Sequence, residues 1–227
     1  MDAKAGDRVV TPRAGKAVEV NALWYNALTI FGSLARRFGD QVRGGAFAKR
    51  ARDVKEKFEQ TFWYEEGGYL YDFIDGEHRD KAIRPNQIFA LSLPFPLLSG
   101  EKARRVLEVV EQKLYTPFGL RSLSQEDPRY RPRYEGDSKT RDDAYHQGTV
   151  WSWLIGPFVT AYVRVHGEEG KARAREMLQA FVPHLSEAGI GTVSEIFDAE
   201  PPHAPRGCIA QAWSVAEILR ANLEDAR

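Results

Sequence analysis

Ten carboxylates stand in or beside stretches rich in aromatic residues and glycine: Asp2, Glu19, Asp72, Asp75, Glu126, Asp127, Asp142, Asp143, Glu195 and Asp198. Two carboxyl groups are what hydrolysis of a glycosidic bond requires. One acid protonates the leaving oxygen, and a second carboxylate activates water or attacks the sugar. Near these residues lie Trp24-Tyr25-Asn26, Tyr69-Leu70-Tyr71-Asp72, Tyr145-His146-Gln147 and Trp151-Ser152-Trp153. Aromatic rings stack on the apolar C–H faces of sugars, while amides and carboxylates bond the hydroxyls. An ordinary aromatic core with bonded polar tips has the same composition. Residue type alone does not choose among the ten.

Other chemistries are excluded more firmly. There is no Gly-x-Ser-x-Gly elbow for a serine hydrolase. Gly167, Gly170 and Lys171 have the wrong spacing for a phosphate loop, and no Ser or Thr follows the lysine. The five histidines (78, 146, 166, 184 and 203) form no His-x-x-x-His pair, and Cys208 is the sole cysteine. A disulfide framework and a cysteine-built zinc site are thereby ruled out. No metal and no cofactor is expected.

The charge balance is 32 Lys+Arg against 32 Asp+Glu. Even the Arg129-Tyr-Arg-Pro-Arg133 stretch sits in a segment, 121–143, with six basic and six acidic side chains. A general nucleic-acid or anionic-membrane binder would need a basic excess, so neither is expected. No apolar run reaches the ~18 residues of a membrane span, and Met1–Asp7 lacks the apolar stretch of a secretory signal. A soluble, cytoplasmic protein is expected.

The elements that must position these groups read as helices. From Val18 to Phe38 the set Val20, Leu23, Trp24, Ala27, Leu28, Phe31, Leu34 and Phe38 recurs at three-and-four spacing, which predicts one buried face. Further helices are predicted over Phe47–Phe62, Asn86–Leu93 after Pro85, Gly100–Leu114, Ala144–Val165, Glu169–Ser186 and Gly207–Leu223. That is about seven. The 18–38, 144–165 and 207–223 helices are apolar and aromatic, whereas 47–62, 101–114 and 169–186 are charged on one side. Inner helices covered on both sides and outer helices with one wet face explain the alternation. Nothing alternates over the length of a standard strand, so the fold class is all-α or nearly so. No Pro-, Gly- or Ser-rich linker divides residues 1–227, which read as a single domain. The loops Tyr64–Pro85, Thr116–Asp143 and Gly189–Arg206 are longer than packing requires and too aromatic to be disordered.

Five ordered blocks carry a resemblance. Val10–Leu28 (Val-Thr-Pro-Arg-Ala-Gly-Lys-Ala-Val-Glu-Val-Asn-Ala-Leu-Trp-Tyr-Asn-Ala-Leu), Arg84–Pro94 (Arg-Pro-Asn-Gln-Ile-Phe-Ala-Leu-Ser-Leu-Pro), Asp143–Trp151 (Asp-Ala-Tyr-His-Gln-Gly-Thr-Val-Trp), Ser194–Asp198 (Ser-Glu-Ile-Phe-Asp) and Gly207–Glu217 lie in order along nearly the whole chain. Their sequence resembles the glucosidase domain of glycogen debranching enzymes.

That resemblance implies an (α/α)6 toroid of the six-hairpin glycosidase type, with twelve helices in two rings. About seven helices correspond to its C-terminal part. It also implies the amylo-α-1,6-glucosidase reaction, in which water releases glucose, with inversion, from an α-1,6 branch of an α-glucan or glycogen-derived oligosaccharide. The general acid then maps onto Asp2 and the general base onto Glu195, facing a common cleft lined by Trp24, His146 and Trp151. Candidate sugar contacts are Glu19, Asn21, Trp24 and Tyr25, then Arg84, Asn86 and Gln87, then His146, Gln147 and Trp151. Two alternatives stand beside this reading. One is a truncated, inactive glucan-binding piece that associates with an N-terminal partner segment or with itself. The other is a glucoamylase-like (α/α)6 hydrolase.

Overall fold

The computed structural model describes residues 3–227. In chain order its elements are β1 (Ala3–Ala5), β2 (Arg8–Thr11), β3 (Lys16–Ala17), α1 (Val18–Arg37), α2 (Gln41–Phe62), β4 (Trp63–Tyr64), β5 (Tyr69–Leu70), β6 (Phe73–Asp75) and β7 (His78–Arg79). Then come α3 (Phe89–Ser92), α4 (Gly100–Leu114), β8 (Tyr115–Thr116), β9 (Gly119–Arg121), α5 (Ser138–Tyr145), β10 (Val150–Trp151), α6 (Ile155–His166), α7 (Glu168–Gln179), β11 (Ile196–Phe197), β12 (Pro205–Arg206) and α8 (Ala212–Arg220). Short 3-10 turns cover Pro85–Ile88, Ser152–Leu154 and Pro183–Ser186, and a π-turn over Ala221–Asp225 follows α8. The helical class expected from the sequence holds. The strands are a correction in detail: at two to four residues they are too short to show a period-two pattern.

The chain divides into two compact units that are interleaved in sequence. Residues up to Arg13, Ala82–Pro85 and Leu107–Arg227 form the first, and Ala14–Lys81 with Asn86–Val106 form the second.

The second unit is built on the α1–α2 hairpin. Asp40 caps α2 by accepting the Arg43 N–H at 2.9 Å. The helices meet through small residues. A Cβ placed on Gly44 would lie 3.2 Å from the Gly32 carbonyl oxygen and 2.5 Å from Arg36 Cγ, so only glycine lets the backbones approach this closely. Val18, Ala22, Asn26, Leu28 and Gly32 form the buried side of α1. The Asn26 amide donates to the Phe95 carbonyl and accepts its N–H, both at 2.9 Å, which satisfies a buried polar group.

This corrects the predicted face of α1. Of the apolar residues expected inside, only Leu28 is buried, whereas Val20, Leu23, Trp24, Phe31, Leu34 and Phe38 are exposed. The helix has two apolar sides, and the one made of small residues takes the packing.

The first unit packs α6 against α7, burying Ile155, Phe158, Val159, Ala174 and Met177. Its antiparallel five-stranded ladder runs in the order β12-β11-β10-β9-β8, with Trp151 opposite both Ile196 and Leu120. Trp153 and Trp213 stack with centroids 5.1 Å apart and planes at 20°, joining the 152–154 turn to α8.

Here the long helix predicted over 144–165 is replaced by three pieces. Gly148, at φ +153°, passes so close to Arg131 that a Cβ would lie 2.4 Å from its carbonyl oxygen. The chain therefore leaves α5, enters β10 and starts α6 only at Ile155. Of the other predicted helices, α4 keeps its ends, α2 begins six residues earlier, α7 stops at Gln179, α8 spans Ala212–Arg220, and the 86–93 segment is a 3-10 turn followed by the four-residue α3. No helix among the described residues is long and apolar enough to cross a membrane.

Candidate active site

Short α5 delivers the first part of the site. Asp137 caps it, accepting the Thr140 N–H at 2.8 Å, and the helix ends at Tyr145 with His146 as its C-cap. The Tyr145 carbonyl accepts Thr149 Oγ1–H at 2.6 Å and the Trp151 indole N–H at 3.0 Å. The turn from 145 to 151 is thus tied around one carbonyl. Its rings pack accordingly: His146 stacks on Trp151 (5.2 Å, 21°), and Tyr145 stands edge-on to Trp151 at 4.8 Å.

Glu195 comes from the loop preceding β11. Its backbone N–H donates to the Cys208 carbonyl at 2.9 Å. Its neighbour Ser194 gives its N–H to His184 Nε2 (3.2 Å) and accepts Ser152 Oγ–H (2.9 Å). His184 is fully buried, and the acceptor role of Nε2 leaves its Nδ1–H to donate to Glu187 at 3.3 Å.

The Glu195 side chain is half-buried and equally well held. Oε1 accepts the Tyr145 phenol O–H at 2.6 Å and the Gln211 amide at 3.1 Å, and Oε2 accepts the Cys208 N–H at 3.0 Å. Burial, then the bond to Glu195, pushes the Tyr145 phenol well above its ordinary range, so it stays a proton donor.

Two charges stiffen the surroundings. Asp198, buried, accepts the Tyr134 N–H (2.8 Å) and two bonds from Arg206 (3.1 and 2.8 Å). That carboxylate holds the Arg206 guanidinium above its usual range. Burial, with nearby positive charge that includes Arg84 adding to it, lowers His146 to about 4. At neutral pH the imidazole is uncharged, and its Nδ1 is buried with no partner among the described residues.

The structure therefore brings together three of the expected residues, Glu195, His146 and Trp151, with Tyr145 touching all of them. Arg84 and Gln147 lie in the same unit but are bonded to each other. Arg84 Nη2 donates to Gln147 Oε1 at 2.7 Å, and Nη1 donates to the carbonyls of His146 (2.7 Å) and Ser122 (3.0 Å). At 2% exposure Arg84 supports the His146 turn from inside.

The remaining candidates belong to the second unit. Asn86 and Gln87 are buried there, with Asn86 donating to Asp72 Oδ1 at 2.7 Å and Gln87 accepting the Leu70 N–H at 3.2 Å. Glu19 is half-buried in the first turn of α1. Asn21 donates to the Ala17 carbonyl at 2.8 Å and lines a cavity of about 300 Å³ with Lys16, Asp53, Lys57 and Phe58. Trp24 is half-exposed, and the Tyr25 ring lies 6.0 Å from Lys55 Nζ. Asp2, the expected acid, lies outside the described residues.

Tyr145, Gln211 and Cys208 escaped the sequence reading as holders of Glu195, and His184 as the acceptor of the neighbouring Ser194 N–H. The signals available were the adjacency of Tyr145 to His146 and the place of Gly207–Gln211 in a quoted block.

Comparison with known proteins shows the family and the fold. The family described as amylo-alpha-1,6-glucosidase matches residues 1–220. A glycogen debranching enzyme of Saccharomyces cerevisiae is 27% identical over 190 residues, covering 69% of this chain and 12% of that enzyme. The chain thus spans about an eighth of that relative's length. Among solved structures, a GH63 mannosylglycerate hydrolase from Thermus thermophilus superposes with a TM-score of 0.64 at 17% identity, over 89% of this chain and 44% of that one. A bacterial glucoamylase complexed with acarbose gives 0.68 at 15% identity, over 93% of this chain and 34% of that one. The fold is that of the (α/α)6 glycosidases. The chain belongs to the amylo-alpha-1,6-glucosidase family.

Proposed function

From that membership we propose an inverting glycosidase centre that releases glucose from α-1,6 branches of an α-glucan or glycogen-derived oligosaccharide. Glu195 is its general base and Asp2 its general acid. The observation that carries this reading is the fixed Glu195 carboxylate beside a neutral imidazole stacked on an indole. A base must be held in one orientation to take a proton from water as the water attacks the anomeric carbon. Neutral His146 can bond a sugar hydroxyl without pairing with Glu195 as a cation.

Replacing Glu195 by Gln tests this. The amide keeps the shape but takes no proton, so glucose release from an α-1,6-branched dextrin should be lost while oligosaccharide binding is retained. Undiminished turnover would reject Glu195 as the base. A linear α-1,4 oligosaccharide, run in parallel, decides between the branch-point linkage and a glucoamylase-like preference.

A second observation favours a partner. Val20, Leu23, Trp24, Phe31 and Leu34 expose the large-residue side of α1, a contiguous apolar stripe of the kind that marks an interaction surface. We infer that further helices cover it, from an N-terminal segment or from a second copy. The chain matches 44% of the mannosylglycerate hydrolase, which leaves more than half of that protein without a counterpart here.

A further inference from the structure

We infer that Tyr145 is the positioning residue of Glu195 and that the pair commits Oε2, not Oε1, to accepting the proton of the attacking water. This rests on the reading of Glu195 as the base.

The assignment follows from counting acceptor positions. An ionised carboxylate has about four lone-pair sites, two on each oxygen. Tyr145 and Gln211 occupy both sites of Oε1. The Cys208 N–H occupies one site of Oε2, and one remains. Gly207 keeps that oxygen uncrowded, since a Cβ there would lie 2.3 Å from Oε2.

Tyr145 is suited to hold its oxygen still. Its ring is boxed by Tyr134 (5.5 Å), His146 (4.8 Å) and Trp151 (4.8 Å), and its carbonyl carries two further bonds. The phenol therefore has nowhere to swing, and neither does the oxygen it holds.

In the step itself, a water O–H bond breaks and the proton passes to Oε2. The freed electron pair forms the new bond to the anomeric carbon. The glycosidic C–O bond breaks with its pair on the leaving oxygen, which takes the proton of the general acid. The base loses nothing to Tyr145, whose own proton stays in place.

Tyr145→Phe, which keeps the ring and removes only the hydroxyl, is the test. The expected result is a fall in kcat of about 10- to 100-fold, the loss of one hydrogen bond to a charged group, with KM within about twofold. Gln211→Leu, which frees the other Oε1 site, should shift kcat in the same direction. If Glu195→Gln is inactive but Tyr145→Phe turns over as the wild type does, the positioning role is wrong while the base assignment stands. If Glu195→Gln is active, the base assignment itself falls.

A readout independent of turnover is the ultraviolet titration of tyrosine. The late-ionising phenol that disappears in Tyr145→Phe should ionise earlier in Glu195→Gln, where its anionic acceptor is gone. An unchanged late phenol in Glu195→Gln would overturn the inference even in a chain that releases no glucose alone.

Discussion

Gly207 stands directly against Glu195. With φ at +67°, it occupies the left-handed region, and a Cβ on it would lie 2.3 Å from Oε2 and 3.2 Å from Glu195 Cβ. Gly207→Ala should therefore displace the carboxylate. We expect a loss of about 1–2 kcal/mol in stability from the backbone alone, and a fall in turnover larger than Tyr145→Phe causes. Denaturant unfolding beside steady-state kinetics checks both. An alanine variant with wild-type kcat would show that the carboxylate tolerates movement.

Arg206 neutralises an otherwise buried carboxylate. Asp198 is 1% exposed and receives both of its charged bonds from that guanidinium. Arg206→Met should cost about 1.5–3 kcal/mol, the range for hydrogen bonds to charged groups. Asp198→Asn in the same background should recover part of it. A double-mutant cycle in urea measures the coupling, and additivity would show that the two do not interact.

His146 makes stability pH-dependent with a definite sign. The unfolded chain holds the imidazole proton below its ordinary 6.5, whereas the folded protein holds it only below about 4. Between those values the unfolded state binds more protons, so stability falls as pH drops through that window. The expected loss between pH 7 and 4 from this one residue is roughly 2–3 kcal/mol, reduced by whatever solvent reaches the ring. His146→Gln should flatten that part of the profile. Parallel pH curves for the two proteins would contradict it.

The exposed side of α1 should make the isolated chain associate. Phe31→Lys or Leu23→Lys, at residues 57% and 50% exposed, should shift sedimentation toward monomer with little change in Tm. A wild-type chain that is already a monodisperse monomer at high micromolar concentration would remove a second copy as the cover of this stripe.

The sequence reading succeeded where one periodicity governed a long segment, as in α1 and α4, whose limits it placed within a residue. It misjudged which side of α1 is inside, because Ala22 and Gly32 weigh little in a hydrophobic pattern, yet both are buried and Gly32 permits close packing with Gly44. It also ran one helix through 144–165. An apolar run containing Gly148, Thr149 and Val150 fits a buried strand equally well, and only the neighbouring strands decide. Within the site, Glu195, His146 and Trp151 were legible through family resemblance. Their holders were not: a phenol 50 positions away, an amide 16 away and a backbone N–H 13 away meet only in three dimensions.

The stacked indoles of Trp153 and Trp213 give this protein a spectroscopic handle of its own. Two stacked chromophores 5.1 Å apart with planes tilted by 20° couple their excited states, and a skew between their transition dipoles splits the ultraviolet circular dichroism into a paired positive and negative band. One ring sits in the 152–154 turn that follows β10, and the other in the first turn of α8, two residues beyond Gln211. The amplitude of that couplet thus reports the docking of α8, and with it whether the Gln211 end of the Glu195 cradle is in place, without any added label.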